Sequence, residues 1–151
     1  INDFFINQLK GFKDVIDDIT GTMNGIGWVI SGFSLLVGGF GIANIMFVSV
    51  KERTNLIGIQ KSLGAKNKFI LFQFLFEAVI LSLIGGLIGL ILVFIVSVAA
   101  SSFSGDFNFV LSPWNMFLGT AISAIIGLIS GIIPAISASK LDPVEAIRTG
   151  Q

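Results

Sequence analysis

Three long stretches, nearly free of charge, decide what this chain can become. Gly25 to Val50 has 26 residues and no ionisable side chain; Phe69 to Phe103 has 35 and only Glu77; Pro113 to Ser139 has 27 and none. About 20 apolar residues on a helix cross the hydrocarbon layer of a bilayer, so each stretch can span it and project beyond. A buried core helix of a soluble protein carries about 10 to 14 such residues. Across 151 positions the chain is 54% hydrophobic and 12% charged, with a mean hydropathy of +0.94. It reads as an all-α membrane protein with three transmembrane helices.

The same composition removes several functions. Nine Lys and Arg balance nine Asp and Glu, and no basic face exists beyond one cluster, which argues against a nucleic-acid partner. There is no Cys and no His, so disulfides, thiol chemistry and the commonest metal ligands are excluded. No G-x-x-x-x-G-K-[ST] loop occurs, and Gly39-x-Gly41 lies within a span rather than after a strand. No catalytic, metal or cofactor-binding residue is expected in this chain. It begins at Ile1 with a polar helix, without an initiator Met or a leader, and is expected to be a piece of something longer.

Between the first two runs lies a charged island, Lys51 to Lys68. It holds five of the nine basic residues (Lys51, Arg53, Lys61, Lys66, Lys68) against one acid, Glu52. Leu56, Ile59 and Leu63 recur at i, i+3 and i+7, one face of a short amphipathic helix. Thr54 or Asn55 is placed to cap its start, and Gly64 to end it in the left-handed conformation. Such a helix, tethered by spans at both ends, is suited to docking on a motor.

Ahead of the first span, residues 1–24 read as a stem helix outside the membrane. Phe5, Leu9, Phe12, Ile16, Ile19 and Met23 are spaced 4, 3, 4, 3, 4, the seam of a coiled coil. Two readings stay open: a seam that meets another stem, or an amphipathic helix packed on the rest of its own domain. Gln73 and Glu77 lie one turn apart near the start of the second span. A carboxylate there needs water or a basic neighbour, and Lys68 lies nine residues before it. Ser112-Pro113 opens the third span as N-cap and first helical residue. Pro134 is expected to kink the inner end. Asp142-Pro143-Val144-Glu145 has the form of a capping box for a last short helix, closed by Gly150.

The third span carries small residues at every fourth position: Gly119, Ser123, Gly127, Gly131, Ala135 and Ser139. Gly85 and Gly89 give the second span a shorter version. Small-xxx-small repeats let helix backbones approach closely in lipid, so these positions are expected to pack the bundle without an aqueous path.

Charge then orients the chain. Residues 51–68 and the tail hold seven Lys and Arg, whereas 1–24 and 101–112 hold two. The positive-inside rule puts the island and the C-terminus in the cytoplasm and the N-terminal segment outside. Both Trp28 and Trp114 then fall at the outer interface. The expected layout is a stem over 1–24 and spans over 25–50, 69–100 and 113–136. A cytoplasmic coupling segment occupies 51–68, an outer loop 101–112 and a cytoplasmic tail 137–151.

Several of these pieces, in collinear order, resemble the MacB/FtsX-like permeases of ATP-binding-cassette systems. They are Gly38-Gly39-Phe40-Gly41-Ile42-Ala43-Asn44-Ile45-Met46, Ser49-Val50-Lys51-Glu52-Arg53-Thr54, and Ile57-Gly58-Ile59-Gln60-Lys61-Ser62-Leu63-Gly64-Ala65. Gln73, Glu77-Ala78, Pro134-Ala135 and Leu141-Asp142-Pro143-Val144-Glu145-Ala146-Ile147-Arg148 complete the set. The chain departs from the family pattern at Asn55-Leu56 and Ile136-Ser137, where charged residues are common. The resemblance implies the last three of four membrane helices of a permease. Glu52, Arg53, Leu56, Ile59, Lys61, Leu63 and Gly64 would couple it to a nucleotide-binding domain that supplies ATP and Mg. A second permease copy, membrane lipid and an extracytoplasmic adaptor protein are the other partners it implies. The implied action is mechanotransmission, for export or efflux. Alternatives are a signalling permease that controls an extracellular hydrolase and a relative handling lipoproteins or antimicrobial peptides. A secondary transporter or channel would need ionisable residues lining mid-membrane, and these spans lack them.

Overall fold

A computed structural model describes residues 2–104 and 112–148, and the described chain is helical apart from short connections. The elements are α1 (Asn2–Glu52), α2 (Thr54–Ser62), α3 (Asn67–Ser104), α4 (Pro113–Ser139) and α5 (Pro143–Arg148). α1, α3 and α4 are each long and apolar enough to cross a membrane. The middle of the expected outer loop, with Asp106, and the expected helix stop at Gly150 lie outside the described residues.

α1 has no break at residue 24 or 25, so stem and first span are one helix of 51 residues. Gly11, Gly21, Gly25, Gly27 and Gly32 fail to interrupt it. A glycine in a helix interior costs about 1 kcal/mol and does not end the helix by itself.

The chain divides into two units, Ile1–Val37 and Gly38–Gln151. In the first, every described side chain from Phe4 to Val37 is exposed. The seam residues Phe5, Leu9, Phe12, Ile16 and Ile19 are among them.

The second unit has a core. Met46 and Val50 of α1 meet Ile57 of α2, Ile70, Phe74 and Ala78 of α3, and Ala135 and Ala138 of α4. Phe74 and Met46 are the largest fully buried side chains. Along most of their length α3 and α4 run antiparallel, in contact through small residues. A Cβ on Gly131 would lie 2.5 Å from Ala78 Cβ, one on Gly127 2.6 Å from Ser82 Cβ, and one on Gly86 2.6 Å from Ser123 Oγ. Gly39 of α1 likewise presses on Ser130 of α4. Backbones this close gain dispersion contacts that branched side chains would forbid.

Two glycines depart from the expected packing stripe. Gly85 and Gly89 have nothing within 4 Å of a built Cβ, and Gly119 has only Leu90 at 3.9 Å. The glycine of α3 that meets α4 is Gly86, because its position in the helical turn faces Ser123 and that of Gly85 does not. Pro134 is buried inside α4, which continues past it to Ser139.

Candidate functional site

The charged island folds as a single residue break, Arg53, followed by α2. Neither Thr54 nor Asn55 caps it. The Thr54 hydroxyl instead donates to the Val50 carbonyl at 2.9 Å. With α1 running almost directly into α2, that hydroxyl finds a carbonyl of the preceding turn before it finds a free N–H. The other end follows the expected chemistry. Gly64 adopts φ +100°. Its N–H donates to the Lys61 carbonyl at 3.0 Å, and the Ala65 N–H donates to the Gln60 carbonyl at 3.0 Å. This is a Schellman close, with Ala65 packed against the core as its apolar contact.

One face of α2 is held by the tail. Ile57 and Gly58 are buried. A Cβ on Gly58 would lie 2.9 Å from Ala146 Cβ and 3.2 Å from the Pro143 carbonyl. α5 itself starts on Asp142, whose Oδ1 accepts from the Val144 N–H at 2.9 Å. Ser112, by contrast, opens α4 with extended backbone and without a side-chain cap bond.

Lys61 strengthens the clamp. Its Nζ donates to the carbonyls of Ser139, at 2.5 Å, and Leu141, at 2.7 Å. Ser139 ends α4 and Leu141 lies two residues beyond it, where the last carbonyls of a helix lack intrahelical partners and the helix dipole is negative, so an ammonium is well placed there. α2, the end of α4 and α5 are thereby one knot.

The opposite face of α2 is bare. Leu56 is 51% exposed, Ile59 44% and Leu63 84%. Next to it Glu52 and Arg53 are exposed too. Arg53 Nη1 lies 3.3 Å from Glu77 Oε2, with both side chains partly in solvent. The basic neighbour of Glu77 is therefore Arg53, across from α3, rather than Lys68 on its own helix. Salt bridges this exposed are worth about 1 kcal/mol or less.

Of the residues expected to couple, Leu56, Ile59 and Leu63 share an outward stripe, Lys61 is spent inside the chain, and Gly64 shapes the turn. Gly58 was missed as the close contact between α2 and α5. Its signal is legible: a glycine in the middle of a short helix opposes helix formation and needs a packing reason. Gln60 was missed as well; its Oε1 is buried and has no partner among the described residues.

Three helices long and apolar enough to cross a membrane, with a short helix between the first two that is exposed on one face and clamped on the other, make a membrane domain. The comparisons agree. The family model described as FtsX-like permease C-terminal matches residues 28–143, and the chain belongs to that family, the MacB/FtsX-like permeases. It is similar to the macrolide export ATP-binding/permease protein MacB of Agrobacterium fabrum, 41% identical over 145 residues, 96% of this chain and 22% of that protein. It is similar also to MacB of Mannheimia succiniciproducens, 41% identical, with 96% and 23% covered. The Neisseria meningitidis serogroup B relative is 42% identical, with 96% and 22% covered. The chain thus spans about a fifth of the length of these relatives.

Proposed function

We propose that this chain is the membrane part of an ATP-driven MacB-type permease, and that α2 receives the motor's movement. The observation that carries this reading is the two-sidedness of α2. Gly58 and Lys61 fix one side to α5 and α4, while Leu56, Ile59 and Leu63 stand free on the other. A docked apolar stripe gives affinity, and the clamp behind it passes displacement to α4 as well as α1. The relatives' names join an ATP-binding function, a permease and macrolide export in one protein. On that basis the whole protein exports or effluxes a small molecule, with ATP and Mg held by a nucleotide-binding domain.

In this reading α2 and the tail face the cytoplasm. The uninterrupted α1 carries the movement outward to the seam over residues 5–19, which meets a second permease copy or another stem. The spans close tightly on small residues and conduct nothing themselves.

The test is Leu56→Asp and Leu63→Asp in the full-length protein. Both residues are exposed, so membrane insertion and thermal midpoint should stay within the spread of surface substitutions, about ±0.5 kcal/mol. A carboxylate in a docked apolar face is unfavourable, so substrate-linked ATP turnover should be lost. Wild-type coupled turnover in both variants refutes the docking role of α2.

A further inference from the structure

We propose that the α2–α3 turn and the adjoining bare face of α3 hold an anionic phospholipid of the phosphatidylglycerol class. Lys66 and Lys68 take its phosphate, and Phe69, Phe72 and Phe76 line an acyl chain. The three phenylalanines fall at i, i+3 and i+7, one face of α3, and each is more than half exposed. Lys68 lies on that face, four residues before Phe72, and Lys66 stands just ahead of the helix. Both lysines are exposed, and neither ammonium has an acceptor among the described residues.

The turn that carries the lysines is held from behind. Gly64 closes α2 at φ +100° and Ala65 packs against the core. Ile70 and Phe74, on the other face of α3, are fully buried. The helix cannot rotate to hide its bare phenylalanines without uncovering these two.

Charge decides what covers the face. From Arg53 to Phe76 there is no Asp or Glu. Arg53 meets Glu77, and Lys61 meets the carbonyls of Ser139 and Leu141, so Lys66 and Lys68 carry the unneutralised charge of the turn. A second copy related by a two-fold axis along the membrane normal would set equal depths against each other. Lysines would then face lysines, which is repulsive. A phospholipid brings both things the face lacks, a phosphate for the ammoniums and a chain for the rings. Side chains lean toward the N-terminal end of a helix, so the lysine stem of the first turn reaches outward to the headgroup level. From Phe69 to Phe76 the helix rises about 10 Å, within the depth of one leaflet. Choline and ethanolamine headgroups carry their own cation beside the phosphate, whereas glycerol leaves the phosphate charge unopposed.

This inference requires α3 to cross a bilayer but not α2 to dock on a motor, and its readout is lipid retention rather than transport. The full-length protein, stripped of lipid in mild detergent, is offered phosphatidylglycerol, phosphatidylcholine and phosphatidylethanolamine of identical acyl composition. Native mass spectrometry counts the lipid retained per chain. A lysine beside an anionic lipid is worth about fivefold in binding, so two should favour phosphatidylglycerol about thirtyfold over either competitor. Lys66→Gln and Lys68→Gln should each cut that preference about fivefold and together erase it, while Lys66→Arg with Lys68→Arg should keep it. Neither ammonium holds another group of the chain, so the thermal midpoint should not move. Lys10→Gln with Lys13→Gln, exposed on α1, should leave the preference unchanged.

Equal retention of the three lipids, a preference that survives the double glutamine variant, or one lost equally with Lys10 and Lys13 overturns the proposal. Full release of the lipid by inorganic phosphate, at an ionic strength where chloride releases none, overturns it as well, since the turn would then need no acyl chain. A photoreactive residue at Phe72 gives a second arm. Lipid adducts support the proposal, whereas a dominant protein adduct shows that another helix covers this face and overturns it.

Discussion

Residues 4–37 and residues 38–148 are both rich in apolar side chains and use them in opposite ways. In the first region no side chain is buried: Phe12, Phe33 and Val37 are each as open as Phe40, just beyond the boundary. In the second, Met46, Ile57, Phe74 and Ala138 come from four helices to share one core. A lone helix cannot bury a face on itself, however apolar it is, whereas helices that return on each other through short turns can. Within this chain the first region therefore has no cover of its own, whereas the second is held by its own contacts.

The largest expected effect breaks that comparison at its bare end. Leu9→Cys and Ile16→Cys lie on the same face of α1, seven residues apart. If the seam meets a partner stem, oxidation of these variants in a functional complex should crosslink them, increasingly with trapped ATP, and abolish transport. Efficient crosslinking indifferent to nucleotide makes the stem a static strut. No crosslinking at either site removes the seam altogether.

Next in size is the core of the packed region. Phe74→Ala should destabilise the protein by about 3 kcal/mol, the low end for a buried Phe. Lipid covers apolar surface as well as protein does, so the cavity and the lost packing carry most of the loss. Phe33→Ala, at a side chain 66% exposed, should shift the thermal midpoint little. Equal shifts for the two would mean that residues 4–37 are covered as fully as the core.

Lys61→Met measures the clamp. The carbonyls of Ser139, at the end of α4, and Leu141, past it, lose a charged donor, which costs about 1.5–3 kcal/mol. The expected readout is a lower thermal midpoint and faster proteolysis after Leu141, with partial rescue by Lys61→Arg. Unchanged proteolysis would show that Gly58 and Ala146 alone hold α5.

The three long apolar helices, the short helix between the first two, its Gly64 stop and the Asp142 cap were legible because each is a local pattern: an apolar run, a 3-4 stripe, a glycine, a cap residue ahead of Pro143. What was not legible is which face meets which partner. Lys61 and the Ser139 carbonyl are 78 residues apart, and Arg53 and Glu77 are 24 apart. Lys61 was expected among the residues that couple to a motor, yet the carbonyls of Ser139 and Leu141, at and just past the end of α4, draw it inward. The union of stem and first span escaped for a related reason. Acidic residues and glycines mark a change of environment along a helix without marking its end.

The smallest effect rests on two adjacent glycines of α3. Gly86→Ala puts a methyl against Ser123, 2.6 Å from its Oγ and 3.0 Å from its Cβ, so α4 must move or Ser123 must turn. Overpacking of this kind costs about 1 kcal/mol at the lower end. Gly85→Ala places the same methyl in open space within this chain. It should be neutral or slightly stabilising, by up to about 1 kcal/mol, because alanine loses less backbone entropy in a helix than glycine. The two thermal midpoints should therefore move in opposite directions from wild type. The same pair also senses what lies beyond the chain. Should Gly85→Ala leave the fold intact but weaken association with a second copy, then the face holding Gly85 and Gly89 is a close-packed contact between chains, and the small-residue pattern of α3 serves two partners at once: Gly86 meets α4 from one side, while its neighbour meets the second copy from the other.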